Sequence, residues 1–311
     1  MEERIPVRDI ELGTGMSVSG LIGQMGTSGG FTGRKLSRAV DILEKMVSGK
    51  SIVFLSFPAC IMATGVRGVI TEMVRRGMVD VIVTTCGTLD HDLARVWGEY
   101  YHGDFEMDDV DLRSRGVNRL GNVLVPNESY GSILENRLLP MFEEILEGRN
   151  SISTRELVAE VGNRVDDPGS LLHWCARRKV PVFVPGITDG SFGSQMWIHW
   201  QSHRGLTVDL FRDEQDLSDI VFEAEGTGAL IIGGGISKHH TIWWNQFRGG
   251  LDHALYLTTA PEYDGSLSGA RVREAISWGK VRETAEHLTV EGDATITLPF
   301  IVAALIDRLE G

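Results

Sequence analysis

Near the end of the chain the run Glu274-Ala275-Ile276-Ser277-Trp278-Gly279-Lys280 sets an aromatic wall, a glycine and a lysine within a few residues of one another. A lysine becomes nucleophilic when desolvation or a neighbouring cation favours its neutral form, and it then attacks carbonyls or imines. Trp278 can supply that desolvation and can also pack against a cationic amine. From composition alone a surface lysine at 280 is the commoner case. His239 and His240 directly follow Lys238. An imidazole beside a cofactor site suits a proton acceptor because its pKa lies near neutrality, although capping or packing is an equally ordinary use. His91 stands between Asp90 and Asp92 without a second histidine at ligand spacing, so no metal is expected.

These groups need a scaffold. Short β-branched runs at Ser51–Phe57, Val79–Thr85, Pro181–Pro185, Ala229–Gly235 and Ala254–Thr259 read as buried parallel strands. Helical spacing of apolar residues marks Lys35–Val47, Gly65–Arg76, Glu135–Glu147 and Thr154–Val161 between them. Such alternation predicts an α/β fold with a doubly wound, mostly parallel, Rossmann-like sheet, here expected as one domain over residues 1–311. Gly23–Gly33 reads as an irregular connection, and Tyr101–Pro126, with its acidic run Glu106–Asp111, as loops and short elements.

In such sheets ligands sit beyond the carboxyl ends of the strands. The predicted strands run into Cys86-Gly87-Thr88, Thr188-Asp189-Gly190-Ser191, Gly233-Gly234-Gly235 and Thr258-Thr259-Ala260. The triple glycine has neither GxGxxG nor phosphate-loop spacing. It suits a tight turn as well as a dinucleotide crevice; several small-residue strand ends together favour the crevice, where backbone N–H groups meet a pyrophosphate.

The chain has 311 residues, 42% of them hydrophobic, with no run long enough to span a bilayer. Its acidic start lacks the pattern of a signal peptide, so a cytoplasmic protein is expected. Three scattered cysteines argue against a disulfide framework. A formal charge of -13 disfavours nucleic acid and favours cationic partners.

Three motifs together, GGGISKHH at 233–240, EYDGSLSGAR at 262–271 and EAISWGK at 274–280, resemble the deoxyhypusine synthase family. VDVIVTT at 79–85, NRLGNVLVP at 118–126 and TDGS at 188–191 also look like family motifs, in the family's order, and GTLDHD at 87–92 looks like its archaeal branch. The resemblance implies a cytoplasmic homotetramer with interface active sites that binds NAD and spermidine. Spermidine is oxidised to an imine, an enzyme lysine captures the aminobutyl fragment, 1,3-diaminopropane leaves, and a lysine of a translation factor 5A-type precursor receives the fragment. By matching, the nucleophile falls on Lys280 and the substrate-side histidine on His239. NAD binding falls on Ala59, Cys60, Ala63, Thr85, Cys86, Gly87, Asp189, Gly234, Thr259, Ala260, Asp264, Asp293 and Ala294. Asp90, His91, Ser194, Gly265, Glu274 and Trp278 fall on the polyamine side.

Departures from the pattern bear on the substrate. Ser194 and Leu267 stand where well-known eukaryotic members place polyamine-binding aspartates, and His91 replaces a glutamate. Each lost carboxylate removes a charge-assisted hydrogen bond worth roughly 1.5–3 kcal/mol. Ala59 and Cys60 likewise replace polar side chains of the NAD loop. Two alternatives follow: a homospermidine synthase-like enzyme that passes the fragment to a small amine, and a non-catalytic regulatory subunit. The retained Lys280 speaks against the second.

Overall fold

The structure, a computed structural model, describes residues 5–310. Their contacts gather into two compact units, one formed by residues 5–56 with 220–310 and the other by residues 57–219.

In the first unit four strands lie in the order Val281–Glu291, Leu251–Thr258, Gly226–Ile232, Ser51–Ser56, every pairing parallel. Parallel strands need crossover connections, and these carry the functional segments. Helix Gly235–Gln246 links Gly226–Ile232 to Leu251–Thr258, and a loop with the short helix Val272–Ser277 links Leu251–Thr258 to Val281–Glu291. Helix Phe31–Ser48 buries Ala39, Val40, Ile42, Leu43 and Met46 completely, and it packs on the strands. Gly228 lets it approach closely, since a Cβ there would stand 2.4 Å from the Met46 sulfur.

The glycine-rich stretch expected as irregular contains helix Val18–Thr27 instead. Ser17 caps it by accepting from the Gly20 N–H, and Ile22 is fully buried. Gly26 is small for packing, because a Cβ there would lie 2.6 Å from Ser37 Oγ on the next helix. Strand Val281–Glu291 was not anticipated. Its sequence VRETAEHLTVE has no clean alternation, and it is an edge strand paired only to Leu251–Thr258.

In the second unit strand Val81–Val83 pairs in parallel with Val182–Phe183. Helix Cys86–Trp97 packs against helices Gly131–Leu146 and Ser191–Ser202. Tyr101–Pro126 forms the expected short elements: an antiparallel sheet of Tyr101–His102, Val123–Pro126 and Val117–Leu120, with helix Asp109–Ser114. Part of the acidic run is a cap, since Asp108 accepts from the N–H groups of Val110 and Asp111. The described cysteines are all free, and no helix among the described residues is long and apolar enough to cross a membrane.

Candidate active site

A cavity of about 290 Å³ in the first unit runs along helix Gly235–Gln246, and the crossover helix Val272–Ser277 with its flanking loop forms the facing wall. Lys238, His239, Tyr256, Glu274, Trp278 and Lys280 all line it. His239 and Trp243, one helical turn apart, stack at 5.6 Å between ring centroids with 24° between planes. Lys280 is only 8% exposed, and its Nζ lies 5.8 Å from the Trp243 ring and 5.2 Å from the Trp278 ring.

Lys280 reaches this groove by way of a tight junction. Gly279 adopts a φ of +67°, the Lys280 N–H donates to the Ala275 carbonyl, and the Lys280 carbonyl accepts from the Leu251 N–H. Gly250 also needs its left-handed φ of +94°, and a Cβ there would sit 2.8 Å from the Val281 carbonyl carbon. Lys280 thus precedes the amino end of its strand. The expectation that the chemistry gathers at strand carboxyl ends holds for Gly233–Gly235 and Thr258–Ala260 but not for Lys280, because the crossover carries the chain back along the helix before it re-enters the sheet.

Two lysines share the groove, and they differ in use. Lys238 is 1% exposed; its Nζ donates to the carbonyls of Leu267 at 2.6 Å and Ala270 at 2.8 Å and lies 4.2 Å from the Tyr256 ring centroid. Burial pulls it down to about 8, Glu274 opposing and Arg271 assisting. Acidity alone therefore favours Lys238 as a nucleophile. Geometry argues the other way, since its amine fastens the 267–270 loop to the helix, whereas Lys280 Nζ has no hydrogen-bond or ion-pair partner among the described residues. Burial, with the Lys280 charge second, holds His239 below the usual imidazole range, so at neutral pH it keeps a lone pair for a proton. His240 is held lower, at about 4, by burial and the neighbouring His239.

The loop that follows strand Leu251–Thr258 is held by its own hydrogen bonds. Thr258 Oγ1 donates to the Ser268 carbonyl, Asp264 accepts from the Ser266 N–H, and Gly265 turns the chain at φ +71°. Gly234 is required by this loop, since a Cβ there would stand 2.5 Å from the Ser268 Cα. The triple glycine is thus both a turn and a close backbone crossing. Thr259, Ala260 and Asp264 lie on the loop, and Asp293 accepts from the Thr295 N–H at the start of helix Ala294–Glu310, beside Ala294.

The second unit brings together a separate set. Gly87 lets helix Cys86–Trp97 start against the Ala59–Ala63 turn, a Cβ on Gly87 meeting the Ala59 Cβ at 2.8 Å. Thr85 precedes that helix without capping it by its side chain, and its carbonyl accepts from the Thr88 N–H. Cys60 is exposed, while burial pushes the Cys86 thiol up to about 12, which makes it an inert packing group. Asp189 is exposed just before helix Ser191–Ser202, and the Ser194 hydroxyl donates to the Gly190 carbonyl at 2.9 Å.

Asp90, expected on the polyamine side, has its carboxyl engaged within the second unit. It is fully buried and accepts from Tyr130 Oη at 2.8 Å, Ser191 N–H at 2.8 Å and Phe192 N–H at 2.7 Å, so its carboxyl anchors the helix that carries Ser194. Burial outweighs these donors and raises its pKa. His91 hydrogen-bonds Tyr100 Oη at 2.8 Å, and burial aided by the Arg95 charge pulls it down to about 4, leaving it neutral.

The sequence model of the deoxyhypusine synthase family matches residues 20–305. The chain belongs to the deoxyhypusine synthase family. A curated relative from Picrophilus torridus, named "Probable deoxyhypusine synthase", is 52% identical over 301 residues, covering 97% of each chain. One of the same name from Ignicoccus hospitalis is 48% identical over 310 residues, covering 98% of this chain and 97% of the relative. The fold is similar to the crystal structure of a provisionally assigned deoxyhypusine synthase from Entamoeba histolytica, with a TM-score of 0.70 at 21% identity and 97% coverage of both chains. It is also similar to AgrE solved with ornithine and NAD+, with a TM-score of 0.53 at 13% identity, over 97% of this chain and 35% of that one.

Proposed function

We propose that this chain transfers the aminobutyl group of spermidine to one lysine of a translation factor 5A-type precursor, in an NAD-dependent reaction with Lys280 as the covalent carrier. The observation that carries the reading is the groove in which Lys280, partnerless and walled by Trp243 and Trp278, shares a cavity with His239 and Glu274. When bound, NAD takes up hydride from the substrate and returns it at the end. Within the second unit Asp189 and the small residues where the Ala59–Ala63 turn meets Gly87 suit such a group, and within the first unit so do Gly234, the loop with Thr259, Ala260 and Asp264, and Asp293 with Ala294, each unit being taken by itself.

The remaining steps belong to the protein. His239 takes a proton from the substrate ammonium so that its nitrogen lone pair is free. The neutral Lys280 amine adds to the imine carbon, and the C–N bond to the departing amine breaks with its electron pair, releasing 1,3-diaminopropane once protonated. Lys280 is left joined to the four-carbon fragment as an imine. The acceptor lysine then adds to the same carbon and expels Lys280, and hydride reduction of the product imine completes transfer. Glu274 offers a carboxylate to a substrate ammonium, and the face of Trp278 covers methylenes.

Trp278, which lines the groove, is 67% exposed, and this supports a homotetramer whose subunits complete one another's sites. Both contact units then serve one catalytic chain, and a cytoplasmic location accords with the translation-factor acceptor. Leu267, whose side chain lines the groove without charge, keeps a small-amine acceptor in contention. Incubation with NAD and labelled spermidine, with either the factor precursor or putrescine as acceptor, separates the readings. Label on one lysine of the precursor supports the proposal. Label found only in a homospermidine-type product gives the reaction to a small amine, and no turnover leaves a binding subunit.

A further inference from the structure

The second unit carries a cluster of ligating side chains that the transfer reaction does not use. Helices Gly131–Leu146 and Ser191–Ser202 pack together, with Phe142 and Phe192 edge to face at 5.2 Å. At one end of this contact His199 and His203, spaced by four residues, stack their rings at 4.1 Å with 8° between planes. Glu143 from the other helix reaches both. Its Oε1 lies 3.2 Å from His199 Nδ1 and its Oε2 lies 3.7 Å from His203 Nε2.

The proton inventory of this cluster points to a missing cation. His203 Nδ1 lies 3.0 Å from the His199 carbonyl oxygen. A carbonyl only accepts, so Nδ1 is the N–H and Nε2 is the ring nitrogen turned toward the Glu143 carboxylate. His199 is buried, its side chain 2% exposed, and its Nδ1 makes no hydrogen bond of acceptable geometry despite its nearness to Glu143. One ring nitrogen from each histidine and a carboxylate oxygen thus lie together, all within 4.8 Å.

We propose that Glu143, His199 and His203 bind a zinc-class divalent cation on the second unit. Two ligands each about 2.0–2.1 Å from a tetrahedral ion are about 3.4 Å apart. The Glu143 distances of 3.2 and 3.7 Å already bracket that value. Glu143 and His203 are partly exposed, so small rotations close the remaining gap and water completes the coordination. The backbone hydrogen bond of His203 is the outer contact that orients a ligating imidazole and fixes its tautomer. Two imidazoles select zinc, cobalt, nickel or copper over magnesium or calcium. Glu144 and Glu147 line the same trough and favour a cation. Bound there, the ion would tie the two helices together.

The test uses the untagged full-length chain, stripped with a chelator and titrated with Zn²⁺ by calorimetry and with Co²⁺ by visible absorption. One Zn²⁺ per chain and cobalt d–d bands are expected. His203→Ala and Glu143→Gln, each checked by circular dichroism for a native fold, should weaken Kd at least about 100-fold and remove the bands. Aminobutyl transfer by both variants should stay unchanged. Absence of zinc binding by the parent chain, or binding of equal affinity in the parent and both variants, overturns the proposal.

Discussion

The carboxylates of helix Cys86–Trp97 and the groups of the Lys280 groove differ in how fully their polar atoms are engaged. Asp90 and Asp92 are both fully buried. Asp90 accepts three hydrogen bonds, while Asp92 takes Arg67 Nε at 2.7 Å, Ser170 Oγ at 2.6 Å and the N–H groups of Leu171 and Leu172. Each anchors the start of another helix. Lys280, His239 and Glu274 have no hydrogen-bonding or ion-pair partner for their side chains among the described residues, and they face a cavity. A saturated charge positions the scaffold; an unsaturated one is left for a substrate.

Variants on the two sides should therefore fail in opposite ways. Lys280→Arg keeps charge and fold but stays protonated, so transfer should fall by roughly 10³-fold or more with the melting temperature unchanged. Asp92→Ala strands the Arg67 guanidinium and should cost about 3–5 kcal/mol in urea unfolding, with kcat per folded molecule retained. If Asp92→Ala lowered kcat at full stability, the division between the two regions would be wrong.

Subtler effects sharpen the comparison. His239 has a pKa below the usual 6.5, so falling pH protonates it only in more acidic solution. The acid limb of the kcat/KM profile should lie below pH 6.5 and flatten in His239→Gln, whose kcat at neutral pH drops by roughly 10²-fold. Glu274→Gln removes a charge-assisted contact of roughly 1.5–3 kcal/mol and should raise the spermidine KM by about tenfold or more, with a smaller change in kcat.

Much of this organisation was legible in the residues. Five β-branched runs marked strands, and Trp278-Gly279-Lys280 marked a segment that lines the groove, because burial and chemistry both leave compositional traces. Helix Val18–Thr27 was hidden because its glycines resemble loop composition, although Gly26 serves packing against the next helix. The role of Asp90 was hidden because its partners at Tyr130 and Ser191 are distant in sequence. The pair His199 and His203 carried a legible signal in its four-residue spacing, but Glu143 is joined to it only by the packing of two helices.

The central claim concerns which of two lysines in one cavity becomes the covalent carrier. Incubating the protein with NAD and spermidine without acceptor, trapping with borohydride and mapping the peptides by mass spectrometry answers it directly. The account predicts a butylamine adduct on Lys280 with Lys238 unmodified, although Lys238 is pulled down to about 8. An adduct on Lys238 instead, or none on either lysine during turnover, would contradict it.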